Sequence, residues 1–137
     1  MGVARFSVSL DRKLLRRFDA VLRAERCPTR SKAVGDLIRA ALVEREWTSD
    51  GEVAGAIILI YDHHRPHLAR RLTAVQHDHH RHILSTQHVH LDHDNCLEIV
   101  AVRGPADALR SLFGVFKSVK GLKYATLAAG TVGRQLV

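Results

Sequence analysis

His88 and His90 stand two residues apart, and Cys96 follows six residues later, within QHVHLDHDNCLEI (87–99). Just upstream, QHDHHRH (76–82) adds His77, His79, His80 and His82, and all ten histidines fall between His63 and His93. Side chains alternate along a strand, so His88 and His90 project from the same face. Cys96 opens the returning strand of the hairpin, which brings a thiolate close to both rings. Two imidazoles and one sulfur suit late first-row divalent metals and are wrong for magnesium or calcium. A fourth ligand is needed, and the histidines of QHDHHRH can supply it; on spacing alone, His77, His79, His80 and His82 compete for that role. A single exposed histidine usually does nothing, so it is the joint spacing that points to a metal. His63, His64 and His67 read as solvated surface or a loose secondary metal site. His93 reads as turn surface, and Asp92 and Asp94 as turn residues.

The elements that hold these residues follow from hydrophobic periodicity. AGAIILIYD (54–62) is a near-continuous apolar strand. Pro66 can open a helix marked by Leu68, Ala69, Leu72 and Val75. Residues 83–91 and 96–103 are two strands around an HDN turn. After Gly104-Pro105, a helix is marked by Leu109, Leu112, Phe113, Phe116 and Val119, and KYATLAAG is the last strand. The order βαββαβ predicts a ferredoxin-like domain of the ACT type over 54–137.

The N-terminal part has a different pattern. In ARFSVSL (4–10), Phe6, Val8 and Leu10 alternate with Arg5, Ser7 and Ser9, as in a strand buried on one face. Asp11 can cap a helix to about Glu25 with Leu14, Leu15, Phe18, Val21 and Leu22 as its stripe. CPTRS breaks it, and Thr29 or Ser31 can cap a second helix striped by Ala33, Val34, Leu37, Ile38, Ala41 and Leu42. A solitary strand and two helices cannot bury these stripes, so two copies pairing their strands is the economical solution. The pattern resembles the ribbon-helix-helix DNA-binding fold. That resemblance makes Arg5, Ser7 and Ser9 readers of base edges in the major groove, where arginine can pair bidentately with guanine. Arg30 and Ser31, opening the second helix, would hold a phosphate through free backbone N–H groups. The competing reading makes Arg5, Ser7 and Ser9 the solvated face of a strand. EWTSDGEV (46–53) has no apolar periodicity. The expected organisation is α+β: a DNA-binding domain over 1–46, a linker over 47–53 and the metal-binding, tetramerising domain over 54–137.

A net charge of +7 and a pI near 10.1 favour an anionic partner. Two cysteines make no disulfide framework, and a lone thiol among histidines fits a reducing compartment. MGVARFSVSLDRK lacks the apolar core of a signal peptide, and no apolar run reaches the length of a membrane span. The expectation is a soluble cytoplasmic protein without a membrane partner.

The whole pattern, a ribbon-helix-helix segment followed by TQHVHLDHDNCLEI, resembles the nickel-responsive transcriptional regulators of the NikR family. The resemblance covers nearly the whole chain. It implies a Ni(II) site, one ion per subunit, formed by His88, His90 and Cys96 of one subunit and His77 of a neighbour, in a square-planar arrangement. It implies a homotetramer, a dimer of dimers, that binds double-stranded operator DNA and represses nickel-uptake genes. In one place the chain departs from that pattern. Relatives carry a glutamate and an aspartate four residues apart at the start of the second helix, part of a hard-cation site, where this chain has Lys32 and Asp36. An ammonium cannot ligate a cation. Within the class, a zinc, copper or cobalt sensor competes, because ligand identity does not separate these metals. A small metalloenzyme would need a general base, and no carboxylate stands at a spacing such as HExxH, so no enzymatic activity is expected. A regulator sensing a small organic ligand would leave Cys96 and its spacing unexplained.

Overall fold

Asp11 ends the N-terminal segment by capping the first helix, its carboxylate accepting the N–H groups of Lys13 at 2.8 Å and Leu14 at 3.2 Å. The computed structural model describes residues 2–137, with α1 spanning Arg12–Ala24. Arg26 then takes a left-handed φ of 55°, and Cys27 N–H returns to Leu22 C=O at 2.8 Å, which stops the helix. Thr29 caps α2 (Arg30–Glu46) by accepting the Lys32 N–H at 3.0 Å. The chain forms two compact units, one ending at Ala40 and one running from Ala41 to Val137.

In the first unit, residues 2–10 join no sheet, although alternation predicts a strand over 4–10. The reason is physical: a ladder needs a second strand, and one chain has none to offer here. Phe6 and Val8 are accordingly 72% and 64% exposed. Leu14, Val21, Leu37 and Ile38 are also exposed, and only Leu22 and Ala33 of the unit are buried.

The second unit contains a four-stranded antiparallel sheet in the order β2-β3-β1-β4. Its strands are β1 (Glu52–Asp62), β2 (Ile83–His90), β3 (Asn95–Pro105) and β4 (Tyr124–Ala129). Helices α3 (Pro66–Asp78) and α4 (Ala106–Ser118) follow β1 and β3, so the βαββαβ order read from the sequence appears. Pro66 opens α3, where its missing N–H costs nothing. Val53, Ile57, Leu59, Val100 and Val102 supply one sheet face of the core, and Leu68, Leu72, Leu109, Leu112 and Phe116 the helices, all buried. Ile58, Ile60, Leu97 and Ile99 alternate onto the other face and stay half-buried. Trp47, placed in a linker by the sequence, is instead buried, its indole N–H donating to Gly130 C=O at 2.8 Å and its own carbonyl accepting from Arg110. No helix is long and apolar enough to cross a membrane.

Candidate metal centre

Strand register decides which side chains meet at the end of the sheet. His90 lies opposite Cys96 and His88 opposite Glu98 across the β2–β3 ladder, and Cys96 lies opposite Tyr61 across β1–β3. His88, His90, Cys96, Glu98 and Tyr61 therefore share one face. Asp92 organises the hairpin between β2 and β3: its carboxylate accepts the N–H groups of Asp94 at 2.9 Å and Asn95 at 2.8 Å. Hydrogen bonds from Asn95 hold the Asp92 carboxyl below its ordinary range. Asp92 is thus the turn residue that the sequence suggests.

Cys96 is fully buried, with Sγ 3.7 Å from His90 Nδ1. The rings of His88 and His90 are 5.1 Å apart. Burial pushes the Cys96 thiol up, with Glu98 adding to the effect, so the proton must leave when a metal binds. His88 Nδ1 sits 3.3 Å from the Tyr61 hydroxyl and 3.6 Å from Glu98 Oε1, while the Tyr61 hydroxyl donates to Glu98 Oε2 at 3.5 Å. Desolvation and then the Glu98 charge raise the Tyr61 phenol, which keeps it a neutral donor. A carboxylate and a hydroxyl beside an imidazole orient the ring, the usual second layer of a metal site.

The structure also brings in a residue that the spacing does not single out. His63, on the loop after β1, places Nδ1 3.0 Å from Cys96 Sγ. Burial holds its imidazole below the ordinary histidine range, and neighbouring His64 and His90 act in the same direction. Among the described residues, His63, His90 and Cys96 bring ligand atoms within 4.8 Å of one another, as do His64, His93 and Asp94. His64 and His93 belong to this second, exposed group, their rings 5.0 Å apart. Neither group includes His77 or His88. His77 is exposed in the last turn of α3, 6.3 Å ring to ring from His80. His79 and His80 turn Nδ1 to the carbonyls of Val75 and His77 at 2.9 and 3.0 Å. The donor set at the sheet end, imidazoles with one thiol, fits a late transition metal.

In the first unit, Arg5, Arg30 and Ser31 line one open groove, together with Phe6, Val8 and Val34. The Arg30 guanidinium is engaged bidentately by Asp19, at 2.9 and 2.7 Å. Lys32 pairs with Asp36, whose carboxyl it holds below the usual range. The Cys27 thiol lies 3.5 Å from Thr29 C=O in the turn and meets no metal-binding partner there.

Comparison with known proteins agrees with this picture. Residues 54–129 match the family model described as the NikR C-terminal nickel-binding domain. A protein of Desulfovibrio desulfuricans carried under the name nickel-responsive regulator is 47% identical over 98% of each chain. Similarly named proteins of Nitratidesulfovibrio vulgaris and Geobacter sulfurreducens are 51% and 45% identical, each over 96% of both chains. A solved structure of an uncharacterized protein from Thermotoga maritima matches with TM-score 0.53 at 11% identity, covering 58% of this chain and 98% of its own, a likeness of fold alone. With the H-x-H-x5-C hairpin in place and full-length relatives at this level of identity, the chain belongs to the NikR family.

Proposed function

We propose that this chain is a nickel-gated, sequence-specific DNA-binding repressor of nickel-uptake genes, acting in the cytoplasm as a homotetramer of two DNA-binding dimers. Cys96 carries the reading. Its buried sulfur lies 3.7 Å from His90 Nδ1, and His88 shares the same strand face. His77 is exposed on α3, where it is accessible to another subunit. His88, His90 and Cys96 would hold one Ni(II) per subunit together with His77 of the partner subunit. Occupancy would then tie α3 of one subunit to the β2–β3 hairpin of another. Such a tie regulates DNA binding only insofar as the ion favours the operator-competent arrangement over the alternative.

Residues 1–46 would supply the DNA-binding half and 54–137 the regulatory half. The exposed Phe6, Val8 and Leu10 support pairing of the N-terminal segment with a second copy, which would turn Arg5, Ser7 and Ser9 toward base edges. Thr29 takes only the Lys32 N–H of the first turn of α2. The N–H groups of Arg30 and Ser31 would then serve a phosphate. Where the family resemblance implies a cation between two carboxylates, this chain pairs its own Lys32 with Asp36.

The decisive measurement is retention of operator DNA with and without stoichiometric Ni(II), repeated with zinc, copper and cobalt. Retention that depends on nickel supports the reading; equal retention without metal, or with every metal, overturns it. In the same assay, Arg5→Ala should weaken specific binding by about 1–3 kcal/mol, the cost of a lost bidentate base contact. Nickel affinity should not change. An equal loss on random DNA would reduce Arg5 to a phosphate contact. Assembly is the third expectation: the half-buried face of Ile58, Ile60, Leu97 and Ile99, with the unpaired N-terminal segment, should make the metal-free protein at least dimeric by sedimentation. A metal-free monomer would contradict the paired ribbon.

A further inference from the structure

Around the sulfur of Cys96, a single subunit gathers a different set from the one just assigned to nickel. His63 Nδ1 is the nearer imidazole nitrogen, at 3.0 Å, against 3.7 Å for His90 Nδ1. His88 instead turns Nδ1 to Tyr61 and Glu98. The loop that presents His63 is anchored at both ends of its short span. His63 N–H donates to Asp94 C=O of the hairpin at 3.2 Å, and the Asp62 carboxylate accepts the His64 N–H at 2.9 Å. His63 is thereby held over the Cys96 end of β3 by backbone bonds and not by its ring alone.

We propose that His63, His90 and Cys96 form a single-subunit Zn(II) site that shares two ligands with the nickel set and competes with it. Zinc bonds of ~2.1 Å to nitrogen and ~2.3 Å to sulfur place neighbouring ligands about 3.1–3.6 Å apart, for angles between square and tetrahedral. The observed separations of 3.0 and 3.7 Å bracket that range without any change of backbone. Zinc has no ligand-field preference and is content with three protein ligands and a solvent molecule. Two imidazoles and one thiolate are a donor set of that kind. The functional consequence rests on the nickel reading above. A zinc-loaded subunit uses neither His88 nor His77 of the partner subunit, so zinc would bind without tying subunits together. Discrimination would then come from which side chains each ion recruits, a feature that relative affinity for the shared donors cannot provide.

The test uses the full-length protein and its His63→Gln and His88→Gln variants, since glutamine can keep a hydrogen bond while giving up the imidazole ligand. Zinc affinity is read by competition with a chromophoric chelator, and nickel by its thiolate charge-transfer absorption and DNA retention. His63→Gln should lower zinc affinity at least ~100-fold, beyond what loss of an outer-layer partner does. Its nickel absorption and nickel-dependent DNA retention should match the unaltered protein. His88→Gln should do the reverse. Unchanged zinc affinity in His63→Gln, or equal weakening of both metals in both variants, overturns the proposal. Absence of a nickel–thiolate band in the unaltered protein would sink the nickel reading alone, because the zinc comparison still decides whether His63 is a ligand.

Discussion

Cys96→Ser should remove the thiolate-to-nickel charge-transfer band entirely and weaken nickel by at least ~100-fold, more than the loss of an outer-layer partner. A serine hydroxyl is a poor ligand for a borderline ion and stays protonated at neutral pH. The buried position of Cys96 leaves no room for another side chain to take over. DNA binding should lose its dependence on nickel in the same variant. His77→Ala should weaken nickel and uncouple it from DNA, while leaving the three donors of the sheet end in place. Because His77 is proposed to act across subunits, mixed tetramers test the arrangement directly. Subunits lacking His77 should regain nickel-dependent DNA binding when combined with subunits lacking His88. Full nickel response by His77→Ala alone would overturn that assignment and pass the role to His79, His80 or His82.

The second large effect is on stability. Phe116→Ala should cost about 3–5 kcal/mol, the usual range for removing a buried phenylalanine ring. Phe116 is fully buried on α4, among the side chains that hold this helix to the sheet through Val100, Val102, Leu109 and Leu112. Against a typical domain stability of about 5–15 kcal/mol, such a loss brings the C-terminal domain near its unfolding threshold. Denaturant midpoints of the two proteins, compared without metal and at one protein concentration, measure it, since both assembly and bound ions shift apparent stability. A loss below about 1 kcal/mol would mean that the site collapses around the missing ring, and that α4 is held elsewhere.

The sheet domain is largely legible in the sequence because its signals are local. Pro66 and Gly104-Pro105 punctuate the helix starts, and the apolar run of β1 and the stripe of α4 each report their own period. The H-x-H spacing likewise places His88 and His90 on one face with no knowledge of the rest of the fold. Trp47 shows the limit of that reasoning. Its neighbours are polar and aperiodic, but its indole finds a carbonyl 83 residues away, at Gly130.

The N-terminal strand marks a different limit. Alternation over residues 4–10 is a property of the sequence, but a ladder is a property of two strands, and one chain supplies only one. The metal centre divides along the same line. Residue types and spacing alone determine that an imidazole pair and a thiolate converge on one hairpin, and therefore which class of metal they suit. His63 lies 33 residues from Cys96, and no local period connects them. Their contact follows from the antiparallel pairing of β1 with β3, which sets Tyr61 opposite Cys96 and Asp62 opposite Asn95. The chain leaving β1 must then pass over the sulfur. Side-chain periodicity is fixed within a few residues of backbone, whereas register between distant strands is fixed only when the whole core packs, so the third histidine at Cys96 was decided by tertiary structure.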